Sequence, residues 1–130
     1  MESATHSDLV KKLAKTVRDR HEAPGLVVLA EHHDYGPNRP WPIDGFVPDV
    51  LVSDLVTGFE AIGEAKTRGD LESERSIRQI AAFLRHLSLR PGSRFYLGVR
   101  WGHEARAQLV LSSILARTEL TVTSEVLGLA

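Results

Sequence analysis

The feature that most constrains this fold is a repeated change of hydrophobic period along a chain of 130 residues. From residue 8 to 20, Leu9, Val10, Leu13, Ala14 and Val17 recur at helical spacing opposite Lys11, Lys12, Lys15 and Arg18, with Ser7 as the predicted N-cap. Pro24-Gly25 stops that helix, and Leu26–Ala30 is an unbroken β-prone run, short enough for a buried strand. Strand patterns follow at 46–53 and 59–66, joined through Asp54-Leu55-Val56-Thr57-Gly58 as a hairpin turn. A second amphipathic helix runs from Glu72 or Ser73 to Ser88 and is ended by Arg90-Pro91-Gly92. A strand over 94–101, a helix over 104–117 and a short edge strand over 119–123 complete the reading. The order α-β-β-β-α-β-α-β implies an α/β sandwich with a mixed central sheet flanked by helices. At this length, with no repeat or linker, residues 1–130 form a single domain.

The chain has no cysteine, which excludes disulfide frameworks, thiolate zinc sites, iron–sulfur clusters and cysteine nucleophiles together. Any metal must therefore sit on oxygen or nitrogen ligands. No apolar run approaches the roughly 18 residues of a membrane span, and residues 1–20 mix charges with apolar positions, so a soluble, cytoplasmic protein with no membrane partner is expected. The formal net charge of −1 hides a segregation: residues 21–63 carry seven acidic side chains against Arg39 alone, whereas 64–94 carry seven basic against four acidic. An acidic stretch followed by a basic one fits a carboxylate metal site flanked by phosphate-holding arginines.

The residues that carry chemistry are Pro48-Asp49 in one strand and Glu64-Ala65-Lys66 in the next. Alternation puts Glu64 and Lys66 on the same face. A turn centred between Val56 and Thr57 sets Asp49 directly opposite Glu64, with Cβ atoms about 4.5–5.5 Å apart, and a slip of one residue breaks the set. Two facing carboxylates repel and raise one pKa, so a buried pair needs a neighbouring lysine or a bound cation. Hard oxygen ligands suit Mg²⁺, with Mn²⁺ as substitute; such an ion acidifies water and neutralises charge developing on a phosphate, while Lys66 orients the attacking water or offsets the same charge. Taken singly, Glu-x-Lys is an ordinary solvated pair on many hairpins, and Pro-Asp is a common turn dipeptide.

Together, Pro48-Asp49, the fourteen-residue gap, Glu64-Ala65-Lys66 and a following amphipathic helix bearing Gln79 resemble the PD-(D/E)XK nuclease superfamily. The predicted element order is similar to the α-β-β-β-α-β core of that restriction-endonuclease-like fold over about residues 7–101. Glu64-Ala65-Lys66-Thr67 and Gln79-Ile80-Ala81-Ala82-Phe83 further resemble its RecB-like, Holliday-junction-resolvase-like branch, with Phe83 where that branch has tyrosine. The resemblance implies that Asp49 and Glu64 bind the divalent ion with the Ala65 carbonyl, that Lys66 assists catalysis, and that Gln79 points toward the site or the nucleic-acid backbone. The family often adds an acidic residue or a histidine from the first-helix region, for which Asp8, His21, Glu22 and Glu31 are the candidates here.

Arg68, Arg75, Arg78 and Arg85 can hold phosphates, although Glu72 and Glu74 lie close enough to make them a solvated, self-paired helix face. Adjacent His32 and His33 at a strand end are expected to point to opposite faces and so not to share one ion. Trp41 and Tyr35, in the Pro- and Gly-rich stretch 32–45, either stack on unpaired bases or plug the sheet edge. The leading expectation is a Mg²⁺-dependent DNA nuclease, more an endonuclease than an exonuclease, acting through Asp49, Glu64 and Lys66. The alternatives are a catalytically inactive nuclease-fold module for nucleic-acid binding or assembly, and a metalloprotein using His32 and His33. So small a chain cutting both strands implies a homodimer, with Val122–Leu129 as the expected interface, or a place in a larger DNA-processing or defence assembly.

Overall fold

The computed structural model describes residues 4–130. Its elements are α1 (Ala4–His21), β1 (Leu26–Ala30), β2 (Val50–Asp54), β3 (Glu60–Ala65), α2 (Glu74–Ser88), β4 (Arg94–Arg100), α3 (Glu104–Thr118) and β5 (Thr123–Leu129), with one short 3-10 turn at His33–Tyr35. The strands form one sheet in chain order. β1, β2 and β3 pair antiparallel, whereas β4 and β5 continue in parallel from β3, so the sheet is mixed. Helix α1 covers one face and α2 with α3 the other.

The predicted period changes produce these layers directly. On α1, Leu9, Val10, Leu13, Ala14 and Val17 are all buried, and they meet Val50, Val52, Ala61, Ala65 and Tyr96 on the facing sheet surface. Close approach depends on two strand glycines beneath Leu13. A Cβ at Gly63 would stand 3.1 Å from Leu13 Cδ2, and one at Gly98 would stand 3.2 Å from Leu13 Cδ1. On the opposite face Leu51, Ile62, Phe95, Leu97 and Val99 pack against Ile80, Phe83, Leu84 and Leu87 of α2 and Leu111 and Ile114 of α3. Phe83 is a core residue of that layer.

Three boundaries differ from expectation. α1 begins at Ala4, so Ser7 lies inside the helix instead of capping it. Residues 46–49 are not strand: Ile43 and Phe46 exchange backbone hydrogen bonds of 2.7 and 3.0 Å around Asp44 and Gly45, both at positive φ, and β2 starts only after Asp49. Residues 119–122 are connector, because Glu119 takes a left-handed conformation (φ 56°) that ends α3, and the last strand is the longer Thr123–Leu129. There Leu127 and Leu129 are buried against α1, whereas Val122 and Val126, in the stretch expected at a dimer interface, are only partly buried on the α2–α3 side.

Candidate active site

The β2–β3 turn sets the site's geometry. Asp54 Oδ1 accepts from the backbone N–H groups of Val56 and Thr57, an Asx-type turn, and Gly58 supplies the positive φ of 77° that closes it. The resulting register pairs Val50 with Gly63 and Leu51 with Ile62, so the next residues along are Asp49 and Glu64. They interlock: the Asp49 N–H donates to Glu64 Oε1 at 3.0 Å, and the Ala65 N–H donates to Asp49 Oδ2 at 2.9 Å. Asp49 also extends the ladder to β1, since its carbonyl accepts from Glu31 N–H at 2.9 Å.

Lys66, two residues beyond Glu64, returns to the same face. Its ammonium lies 3.2 Å from Glu64 Oε2 and donates to Gln79 Oε1 at 2.6 Å. Helix α2 delivers Gln79 because Ser73 caps its N-terminus, accepting from Ser76 N–H at 3.1 Å, and sets the helix phase. Gln79 is therefore a buried partner of Lys66 and not a solvated surface amide. Asp49, Glu64, Lys66 and Gln79 are all less than 10% exposed, yet they line an open cleft of about 360 Å³. Burial first, and then the charge of Asp49, pushes the Glu64 carboxyl well above its ordinary value, with Lys66 pulling the other way.

One participant was missed by sequence reasoning. His6, in the first turns of α1, places Nε2 3.1 Å from the Ala65 carbonyl oxygen and 3.4 Å from Asp49 Oδ2. A ring N–H donating between a carbonyl and a carboxylate marks a point that favours positive charge. Of the earlier first-helix candidates, Glu31 lines the same cleft, Asp8 pairs with Lys12, His21 hydrogen-bonds the Tyr96 hydroxyl at 2.6 Å, and Glu22 is exposed.

The arginines divide. Arg75 lines the cleft of Asp49 and Glu64 with its guanidinium over the Phe46 ring, Arg68 lines a neighbouring cleft, and Arg78 sits between α2 and α3 away from both. Arg85 faces Asp44 at 3.7 Å. Tyr35 packs against the α1-side core, and Trp41 is half exposed. The two histidines depart from expectation: β1 ends at Ala30, and His32 and His33 stack with ring centroids 4.4 Å apart. With Asp34 they bring three ligand atoms within 4.8 Å of one another, a set that can hold a metal ion. A cation there competes with the Asp34 N–H donated to His32 Nδ1 and with the Lys11–Asp34 ion pair of 2.8 Å.

No protein-family model, curated protein or solved structure matches this chain. No helix among the described residues is long and apolar enough to cross a membrane.

Proposed function

We propose that this chain is a divalent-metal-dependent nuclease of the PD-(D/E)XK type, hydrolysing phosphodiester bonds in DNA. The observation that carries the reading is the convergence of Asp49, just before β2, Glu64 at the end of β3 and Lys66 just after it, with Gln79 from α2, on one open cleft. Two carboxylates with one ammonium leave a net negative charge in a desolvated site, and the imidazole N–H between Ala65 O and Asp49 Oδ2 stands where a cation would be drawn. Asp49, Glu64 and the Ala65 carbonyl are hard oxygen donors that suit Mg²⁺, with Mn²⁺ substituting. Such an ion supplies a Lewis acid that acidifies water and offsets charge on the phosphate.

The chain's own residues account for the rest. Asp49 and Glu64 are pre-positioned by their interlocking backbone hydrogen bonds, so little reorganisation accompanies ligation. Gln79 holds the Lys66 ammonium in place, where it orients the attacking water and offsets negative charge developing on the phosphate. Arg75, steadied on Phe46, and Arg68 take phosphates flanking the scissile bond. Cutting both strands with 14.4 kDa chains requires two copies, so the proposed active form is a homodimer or a pair within a larger DNA-processing or defence assembly, acting in the cytoplasm.

The test is calorimetric titration of Mg²⁺ and Mn²⁺ into the parent and into Asp49→Asn and Glu64→Gln, followed by incubation with linear, nicked and branched DNA. The reading expects metal binding that both variants weaken, and DNA cleavage that EDTA, either variant and Lys66→Ala abolish. Cleavage undiminished in all three variants overturns it, as does a parent that binds metal but cuts no substrate.

A further inference from the structure

The Thr67–Ser73 loop has two sides: Asp70 and Ser73 face the catalytic cleft, whereas Arg68, Leu71 and Glu72 line a second cleft of about 350 Å³, closed on its far wall by Gly102, His103 and Arg106. This second cleft stands at the C-terminal ends of β3 and β4, where a sheet of parallel strands leaves a crevice for ligands. Its cations are unevenly engaged. Arg106 is held by Glu72 at 2.7 Å, while Arg68 has no ion pair among the described residues.

Next to Gly102 on the β4–α3 turn is Trp101, whose side chain the fold leaves 72% exposed. An indole is a large apolar surface that folding ordinarily covers. The position is nonetheless fixed. The backbone N–H of Trp101 donates to the Leu129 carbonyl at 2.8 Å, and a Cβ on Gly128 would stand 2.5 Å from Glu104 Oε2 and 2.9 Å from Trp101 Cδ1, so the ring rests against the bare backbone of β5 with the Glu104 carboxylate beside it. The neighbouring carboxylate of Glu104 is occupied by the Gly102 N–H. An anchored, exposed aromatic beside an arginine-lined cleft combines the two elements of single-strand recognition, a stacking face and a cationic track for the backbone.

We propose that Trp101 is a stacking platform for an unpaired base, with the adjoining phosphate held in the cleft of Arg68, His103 and Arg106, and that the favoured substrate is DNA carrying a single-stranded segment. The cleavage part of this inference rests on the nuclease reading; the binding part does not. A base inside a duplex has both faces stacked and an end pair exposes one face alone, so an unpaired base, free on both faces, is the favoured occupant of Trp101. Glu64 shares a sheet row with Leu97 and Val126, and the Trp101 ring abuts Gly128, two residues farther along β5, so two strand spacings across and two residues along separate them, about 12 Å. At about 3.4 Å of rise per nucleotide, the stacked base lies roughly three to four nucleotides from the scissile phosphate.

The closing experiment uses the Trp41→Phe protein, in which Trp101 is the sole indole. In EDTA, where binding is read without cleavage, a 12-nucleotide single strand is titrated against a blunt 12-base-pair duplex. The inference expects quenching of the indole by the single strand, tighter binding of it than of the duplex, a loss of about ten-fold or more on Trp101→Ala, and rescue by Trp101→Phe. In Mg²⁺, duplexes with four-nucleotide overhangs should then be cut faster than blunt ones, a preference that Trp101→Ala erases. Quenching and strand preference without cleavage support the inference and remove the nuclease reading. Equal cleavage of blunt and overhanging ends without quenching, or strand binding indifferent to Trp101→Ala, overturns the inference and leaves the nuclease reading standing.

Discussion

Replacing Glu64 by glutamine removes one negative charge from a site that buries two carboxylates beside a single ammonium. The amide keeps the oxygen that accepts from Asp49 N–H and retains the shape, but it loses the 3.2 Å contact with Lys66 as an ion pair. Desolvating a carboxylate costs several kcal/mol, against about 1.5–3 kcal/mol for a hydrogen bond to a charged group, so the exchange should stabilise the metal-free protein by about 1–2 kcal/mol. With about 2.1 cal/mol/K of unfolding entropy per residue over 130 residues, that is a rise in Tm of about 4–7 °C. The sign with pH follows from the raised Glu64 pKa: its stabilising contribution is present below the ordinary value of 4.5 and is lost as pH rises through the folded-state value. The advantage of Glu64→Gln in EDTA should accordingly shrink toward pH 4 and grow toward neutrality. Mg²⁺ should invert the order, because at about 100 times Kd the parent gains about 2.7 kcal/mol, or about 10 °C, and the variant little. Calorimetric melts of both proteins, in EDTA and in Mg²⁺ at pH 4 and 7.5, decide the matter. A variant that melts below the parent in EDTA, with a parent that Mg²⁺ does not shift, would refute the reasoning and make the cluster a closed ion-pair network.

Three further outcomes are expected. Lys66→Met leaves two buried carboxylates without their ammonium and should destabilise the metal-free protein by about 3–5 kcal/mol, read from the urea midpoint, with part of the loss restored by Mg²⁺. Gly98→Val should cost about 1–3 kcal/mol in the same assay, because its Cβ already meets Leu129 Cδ1 at 3.0 Å and Leu13 at 3.2 Å. Burial, with Arg94 and Arg20 nearby, holds His21 below its ordinary 6.5, so the unfolded chain protonates first and stability should fall as pH drops from about 6.5 toward the folded-state value; His21→Gln should remove that part of the pH dependence.

What the sequence made legible was governed by local chemistry. Leu26–Ala30 is the strand that its unbroken β-prone run indicated, and α2 starts after Ser73 because an N-cap serine, a following acidic residue and a steady apolar stripe all agree there. The hairpin register was readable because Asp54 and Gly58 admit few other turns. His6 was not readable: it precedes the first apolar repeat of α1, and only the extension of that helix to Ala4 brings it to the end of β3, 59 residues away in the chain. Parallel β5 was misplaced for a different reason. Its partner β4 lies on the far side of α3, so no turn marks the pairing, and its alternation shows only at Leu127 and Leu129. The His32–His33 pair misled because alternation was carried one turn past the real end of β1.

The interlock of Asp49 with Glu64 bears on how this site can vary over evolutionary time. The two carboxylates are neighbours through the ladder and not through the count of residues between them. Leu55–Phe59 lie outside the paired strands, and a longer excursion there would leave Val50 on Gly63 and the carboxylates facing each other. A single insertion within Val50–Asp54, by contrast, would reverse the facing of every side chain before it and send Asp49 to the α1 side. Descendants of a common ancestor are therefore free to lose the fourteen-residue interval while keeping the chemistry, and the lasting signature is which residues pair across the hairpin, a property that a linear pattern does not record.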